Sequence, residues 1–137
     1  MNRRHRVLAA VLGGLGGLDL LALAAVVHPR GWMAAAHAWL GLGGMPPGPL
    51  VGYLARSAAA LYALHGATVL FVSRDVARYW RLIRLLAVLA LCHGAVMAAI
   101  DWAEGMPLWW RVVEGPGFAA TGAVVLALQL WAGEPAI

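Results

Sequence analysis

The chain has no lysine, six acidic residues and one cysteine in 137 positions. Charged residues make up 12% of it, roughly half the share in soluble domains, while 63% is hydrophobic and mean hydropathy is +0.78. An ordinary soluble domain is therefore excluded, and Cys92 alone cannot form an intrachain disulfide. The sequence also lacks a glycine-rich phosphate loop, a CxxC pair and a Ser/His/Asp arrangement in suitable context, so we expect a non-enzymatic protein.

Four apolar stretches of nearly membrane-spanning length dominate the sequence. They cover residues 7–27, 50–72, 82–103 and 112–132, each close to the ~20 residues that cross a ~30 Å hydrocarbon core. Lipid cannot satisfy an open backbone, so each stretch should form a helix. The sequence thus predicts an all-α integral membrane protein, an antiparallel bundle of four transmembrane helices in one domain over residues 1–137.

The connection between the first two stretches is long and has proline and glycine at both ends. Between these breakers, apolar residues recur at helical spacing, namely Trp32, Met33, Ala36, Trp39 and Leu40. This pattern predicts a short interfacial helix at about residues 31–42 in the first periplasmic loop, with its tryptophans at the headgroup level.

All ten basic residues are arginines, and they lie mainly beside the apolar stretches. Seven belong to one side of the membrane (Arg3, Arg4, Arg6, Arg74, Arg78, Arg81 and Arg84), and Arg30 and Arg111 belong to the other. The positive-inside rule therefore predicts cytoplasmic termini, and we do not expect a nucleic-acid partner. The abundance of Ala, Gly, Leu and Arg is typical of a GC-rich bacterial genome, which suggests a bacterial inner membrane. The arginines between the second and third stretches also suit anionic lipid headgroups, so membrane lipid is an expected partner.

Three ionisable side chains are predicted to form a polar centre inside the membrane. At 1.5 Å per helical residue, Asp19, Arg56 and His93 lie about 18, 21 and 16 Å from the inner edge of the core. A lone ion at that depth costs at least ~2.5–3.5 kcal/mol, so we predict that Asp19 pairs with Arg56 and that His93 completes the group. Tyr53 and Ser57 flank Arg56 on the same helix. The centre would hold a ligand, handle protons, or only fix the register of two helices.

The glycines before Asp19 favour close helix packing. Gly13 and Gly17 have the GxxxG spacing, which serves either packing within the chain or a homo-oligomer interface.

A second polar group is predicted near the outer face, where carboxylates and imidazoles follow the spans. Its members are Asp101, Glu104 and Glu114, with His28 and His37. The spacing matches no metal motif, so no metal is predicted. Ligation of a b haem by His65 and His93 is geometrically possible, but membrane histidines usually hydrogen-bond to neighbours, so no cofactor is predicted.

Four short helices, arginine-rich cytoplasmic ends and small size resemble the DoxX-like group of bacterial inner-membrane proteins. The resemblance is one of architecture over the whole chain and transfers no functional residue. It implies a link to quinone-dependent oxidoreductases for some members of the group.

Three functions follow from these observations. The first is a non-enzymatic binder of a hydrophobic or amphiphilic ligand, or an accessory subunit of a membrane complex, with Asp19, Arg56 and His93 holding the ligand's polar part. The second is an oligomeric ion or proton channel or transporter lined by Asp19, Asp101 and Glu104. The third is a haem- or quinone-linked redox membrane subunit.

Overall fold

The computed structural model describes residues 3–135, and this range is helical without strands. The elements are α1 (Arg3–Leu20), α2 (Leu23–Val27), α3 (Arg30–Trp39), α4 (Leu50–Ser73), α5 (Trp80–Ala103) and α6 (Leu108–Ala132). If α1 and α2 are taken as one span, four helical segments are long and apolar enough to cross a membrane. The prediction of four helices of spanning length is confirmed, while their arrangement as an antiparallel bundle stays a prediction.

The first span is not one regular helix. After Asp19 the backbone tightens, because the N–H of Leu21 donates to the carbonyl of Leu18 at 3.1 Å and the N–H of Ala22 donates to that of Asp19 at 3.1 Å. Bonds from residue i+3 to residue i belong to a 3₁₀ turn, which often marks a hinge when it interrupts a helix. The irregularity therefore lies directly beside the acidic residue.

The fourth span begins earlier than predicted. It begins at Leu108, directly after Pro107, whose φ is −50°. Hydropathy predicts a start at Val112, because the apolar stretch begins only after Arg111. Tryptophan and arginine are common where helices enter the membrane interface, so these residues belong equally well in a first helical turn.

Two glycines with positive φ end α3 and α5. Gly41 (φ 77°) and Gly105 (φ 67°) follow the last residues of these helices. After α5, the N–H of Gly105 donates to the Trp102 carbonyl and the N–H of Met106 donates to the Asp101 carbonyl, which is the Schellman pattern. The helix that the sequence predicts to be interfacial, α3, stops at Trp39 for the same reason, three residues before its predicted end.

The chain divides into two compact units. Unit 1 comprises the residues up to Gly13 together with those from Phe71 onward, and unit 2 comprises Gly14–Leu70. In unit 1, α5 packs against α6 through small residues: a Cβ added to Gly94 would lie 2.6 Å from the carbonyl oxygen of Gly115. The two helix backbones are therefore in direct contact. The predicted single domain stays a prediction.

In unit 2, α1 and α4 meet at a pair of glycines. A Cβ on Gly66 would lie 2.6 Å from the Gly16 carbonyl oxygen, and a Cβ on Gly16 would lie 2.8 Å from the Gly66 carbonyl oxygen. Gly17, in contrast, has nothing within 4 Å of such a Cβ, and Gly13 has only the Ser73 Oγ at 3.8 Å. Gly16 is therefore the glycine that brings α4 close, and a homo-oligomer interface through Gly13 and Gly17 stays a prediction.

This contact predicts different effects of two neighbouring substitutions. Gly16→Ala should lower the unfolding temperature in mild detergent, because its methyl group meets backbone atoms and overpacking typically costs about 1–3 kcal/mol. Gly17→Ala is the matched control, and it should be neutral or slightly stabilising because alanine favours a helix over glycine by roughly 0.5–1 kcal/mol. Equal unfolding temperatures for the two variants would contradict the proposed contact.

Candidate functional site

An open cavity of about 420 Å³ lies in unit 2 between α3 and the beginning of α4. Two guanidinium groups, two hydroxyl groups and an apolar wall line it, contributed by Arg30, Met33, Pro49, Gly52, Tyr53, Arg56, Ser57 and Ala60. Three of the predicted site residues, Tyr53, Arg56 and Ser57, are thus brought together. Arg30 also lines the cavity, although its place after an apolar stretch predicts only a topology signal.

Local sequence explains how the cavity forms. Tyr53, Arg56, Ser57 and Ala60 are spaced by three or four residues, so they share one face of α4. On the other side, Arg30 and Met33 lie one turn apart at the start of α3. Both helices begin directly after a proline, Pro29 before α3 and Pro49 before α4.

Backbone carbonyl groups hold both guanidinium groups in place. Arg56 Nη2 donates to the carbonyl oxygen of His28 at 3.0 Å, and Arg30 Nη2 donates to the carbonyl oxygen of Gly48. A guanidinium has five N–H donors, so these bonds leave further donors for a ligand. The two arginines are anchored without being neutralised.

No carboxylate of unit 2 balances these two charges. Asp19 is the only acidic residue between Gly14 and Leu70, and its Oδ2 lies 2.8 Å from His65 Nδ1. Uncompensated guanidinium groups attract anions, and their planar fork matches a carboxylate or a phosphate. The cavity therefore has the chemistry of a site for an anionic group with an apolar neighbour.

The predicted pair of Asp19 with Arg56 is wrong, since Asp19 pairs with His65. Arg56 lies nine residues before His65 on α4, which is about 14 Å along the helix. The error came from assuming that the ends of the apolar stretches lie level with each other. In the structure Arg56 is bonded to His28, which directly follows the end of the first span.

The positions of the small residues in the sequence indicate the correct partner of Asp19. Placing Gly16 opposite Gly66 sets α1 and α4 in antiparallel register with Asp19 beside His65. The side chains of Asp19 and His65 are 28% and 48% exposed. Their hydrogen bond forms with either a neutral or a charged imidazole, because Nδ1–H can donate to the carboxylate in both states.

His93 belongs to unit 1 and contacts an aromatic ring. Its imidazole meets Phe118 of α6 edge to face, with ring centroids 4.7 Å apart. Its role in a polar centre stays a prediction.

The outer acidic residues have three different environments. Asp101 is buried, with 2% of its surface exposed, and its Oδ2 has no hydrogen-bond partner among the described residues. Glu104 is exposed, and Glu114 accepts a bond from the indole N–H of Trp110.

The two histidines predicted beside them contact backbone carbonyl groups. His28 contacts the oxygen of Ala24, and His37 contacts that of Gly43 at 3.1 Å. Within residues 3–135, no three His, Cys, Asp or Glu side chains form a group that could hold a metal ion.

Unit 1 contains a buried polar cluster that the sequence does not predict. Gln129 Nε2 donates to the Trp80 carbonyl oxygen at 2.9 Å, and His5 packs its ring against Trp80. All three residues are less than a tenth exposed. His5 was missed because it lies among arginines ahead of the apolar stretch, where exposure is the usual expectation.

Comparison of the chain with protein-family models, with curated proteins and with solved structures found no match. Function therefore has to be inferred from the cavity and from the Asp19–His65 pair. The resemblance to the DoxX-like group stays a prediction from architecture.

The Asp19–His65 contact predicts a non-additive pair of substitutions. His65→Leu should destabilise the protein because it leaves a carboxylate unpaired in an apolar span, at a cost of up to about 2.5–3.5 kcal/mol. The double variant Asp19→Leu/His65→Leu should recover much of that loss, since no charge remains. Thermal unfolding in detergent measures the coupling. Arg56→Leu is the control and should show no coupling with Asp19→Leu. Strong coupling between these two substitutions would show that Asp19 pairs with Arg56 and not with His65.

Proposed function

We propose that the protein is a multi-pass protein of a bacterial inner membrane that binds an amphiphile with an anionic head in the cavity between Arg30 and Arg56. Its four spanning helices would form an antiparallel bundle with cytoplasmic termini, and binding would involve no chemical reaction. The arrangement of arginines favours this orientation because seven of them flank one side of the spans. The cavity then opens on the periplasmic side.

The position of the cavity along the spans supports an amphiphilic ligand. Arg56 bonds to His28, directly after Val27, the last residue of the first span. The end of a span lies near the border between hydrocarbon and headgroups, where the polar part of an amphiphile is also found. The guanidinium groups would meet a head at its normal depth.

The surface next to the cavity supports an apolar tail. Met33 and Ala60 form part of the wall, and Leu61 and Leu64 are exposed further along α4. An alkyl chain lying on these residues would remain in a hydrocarbon environment, while Tyr53 and Ser57 offer hydroxyl groups to the head. The main support for the proposal is that no carboxylate of unit 2 pairs with Arg30 or Arg56.

The alternative functions have no comparable support in the described residues. A channel or transporter requires an oligomer and a polar path, and a redox subunit requires a cofactor site. A role as an accessory subunit requires a partner protein. All three stay predictions.

Photo-crosslinking tests the proposed ligand class. Purified protein in a neutral maltoside detergent is exposed to a photoactivatable dodecyl phosphate, and adducts are located by peptide mass spectrometry. We expect adducts on residues 30–33 and 49–64. Arg30→Gln/Arg56→Gln should reduce their yield roughly tenfold or more, because hydrogen bonds to charged groups contribute about 1.5–3 kcal/mol each.

Arg81→Gln/Arg84→Gln provides the matched control. It removes the same charge from two exposed arginines of α5 and should leave adducts at the cavity unchanged. An Arg30→Gln/Arg56→Gln protein that folds and labels like the wild type would refute the proposal. Adducts from an uncharged dodecyl probe at the same yield would show that the cavity selects no anion.

A further inference from the structure

Contacts in unit 1 gather arginines from two distant segments. His5 packs against Trp80 with ring centroids 5.7 Å apart, and its Nε2 lies 3.1 Å from the Gly133 carbonyl oxygen. Arg4 Nη1 donates to the Trp131 carbonyl oxygen at 2.9 Å. The start of α1 is therefore joined to the start of α5 and the end of α6. We call the arginines at this end the arginine belt: Arg3, Arg4, Arg6, Arg74, Arg78, Arg81 and Arg84.

The arginine belt carries a large excess of positive charge. All seven of its arginines are exposed, and only Asp75 and Glu134 are acidic residues nearby in the sequence. The Asp75 side chain already accepts a bond at 3.1 Å from the backbone N–H of Arg78. Among the described residues, no ion pair joins a belt arginine to a carboxylate. The excess of exposed guanidinium groups over nearby carboxylates favours the binding of external anions.

Two belt arginines lie beside aromatic rings. The guanidinium carbon of Arg4 lies 5.2 Å from the centre of the Trp131 ring, and that of Arg78 lies 5.7 Å from the centre of the Tyr79 ring. A guanidinium beside an aromatic ring keeps N–H donors for phosphate oxygens. Arg4 already donates from Nη1 to the Trp131 carbonyl oxygen, so its Nε–H and Nη2–H are the donors that suit two parallel bonds to a phosphate. Ordering these side chains in advance lowers the entropy cost of binding.

We propose that the arginine belt binds the phosphate groups of anionic membrane lipids, with Arg4 and Arg78 as the bidentate contacts. Aromatic residues at the ends of apolar helices are typical of the membrane–water interface, where lipid phosphates lie. Because the belt arginines border helices of membrane-spanning length, a lipid is a better ligand for them than a nucleic acid. The site uses other residues than the Arg30/Arg56 cavity and does not depend on it.

Substitution of arginine by lysine separates this role from membrane topology. Lysine keeps the positive charge that sets orientation, but it lacks the planar fork. The protein is placed in nanodiscs with equal amounts of phosphatidylglycerol and phosphatidylcholine, and retained lipids are counted by native mass spectrometry. Arg4→Lys/Arg78→Lys should lower phosphatidylglycerol retention about fivefold, since charge-assisted bidentate bonds are the stronger kind. Arg111→Lys is the control and should change it little, because Arg111 lies outside the belt although its guanidinium carbon is 4.4 Å from the centre of the Trp102 ring.

Each other result would overturn the proposal. Equal retention by the two lysine variants and the wild type would mean that the arginines act as point charges alone. Equal retention of the two lipids by the wild type would remove lipid selectivity. Displacement of phosphatidylglycerol by millimolar inorganic phosphate would indicate a free-anion site, and displacement by short RNA would indicate a nucleic-acid surface. Arg4→Gln/Arg78→Gln provides a second variant if the lysine protein fails to fold.

Discussion

The backbone contact between Gly16 and Gly66 is the constraint on which the packing of α1 against α4 depends. A Cβ on either glycine would lie within 2.8 Å of a backbone atom of the opposite helix, so this crossing tolerates no side chain. Fixing α1 against α4 at that point fixes their axial offset. Asp19 then lies beside His65, and the residue after the first span lies beside Arg56. In lipid, where helices gain little from burying apolar surface against each other, such close packing is a main source of specificity.

Hydropathy predicted the helices because each helix is a local consequence of composition. A stretch of about 20 apolar residues must satisfy its own backbone in lipid, whatever its neighbours are. The ends were predicted less well where interface residues extend a helix, as at Leu108, or where the backbone tightens within an apolar run, as after Asp19. The side chains on both sides of that turn are apolar, so a hydropathy profile does not predict the turn.

The register of the helices could not be predicted from the same signal. An apolar helix can slide along its neighbour by several residues with little change in lipid exposure, so the ends of the stretches say little about which side chains meet. Tyr53, Arg56 and Ser57 were found as a group because they share one helix face, which is a local property. Their partner Arg30 and the Asp19–His65 pair were missed because both depend on contacts between segments.

The corrected pairing changes the functional meaning of the charges. Had Asp19 neutralised Arg56, unit 2 would have held one balanced ion pair and one arginine near the membrane surface, with little reason to attract a ligand. Because His65 satisfies Asp19 instead, Arg30 and Arg56 share a cavity that has no counter-ion within unit 2. Two anchored positive charges beside an apolar surface are stabilised most by an anion that brings its own apolar chain. The register of α1 against α4 places Asp19 beside His65. For that reason Asp19 does not neutralise the arginines of the cavity.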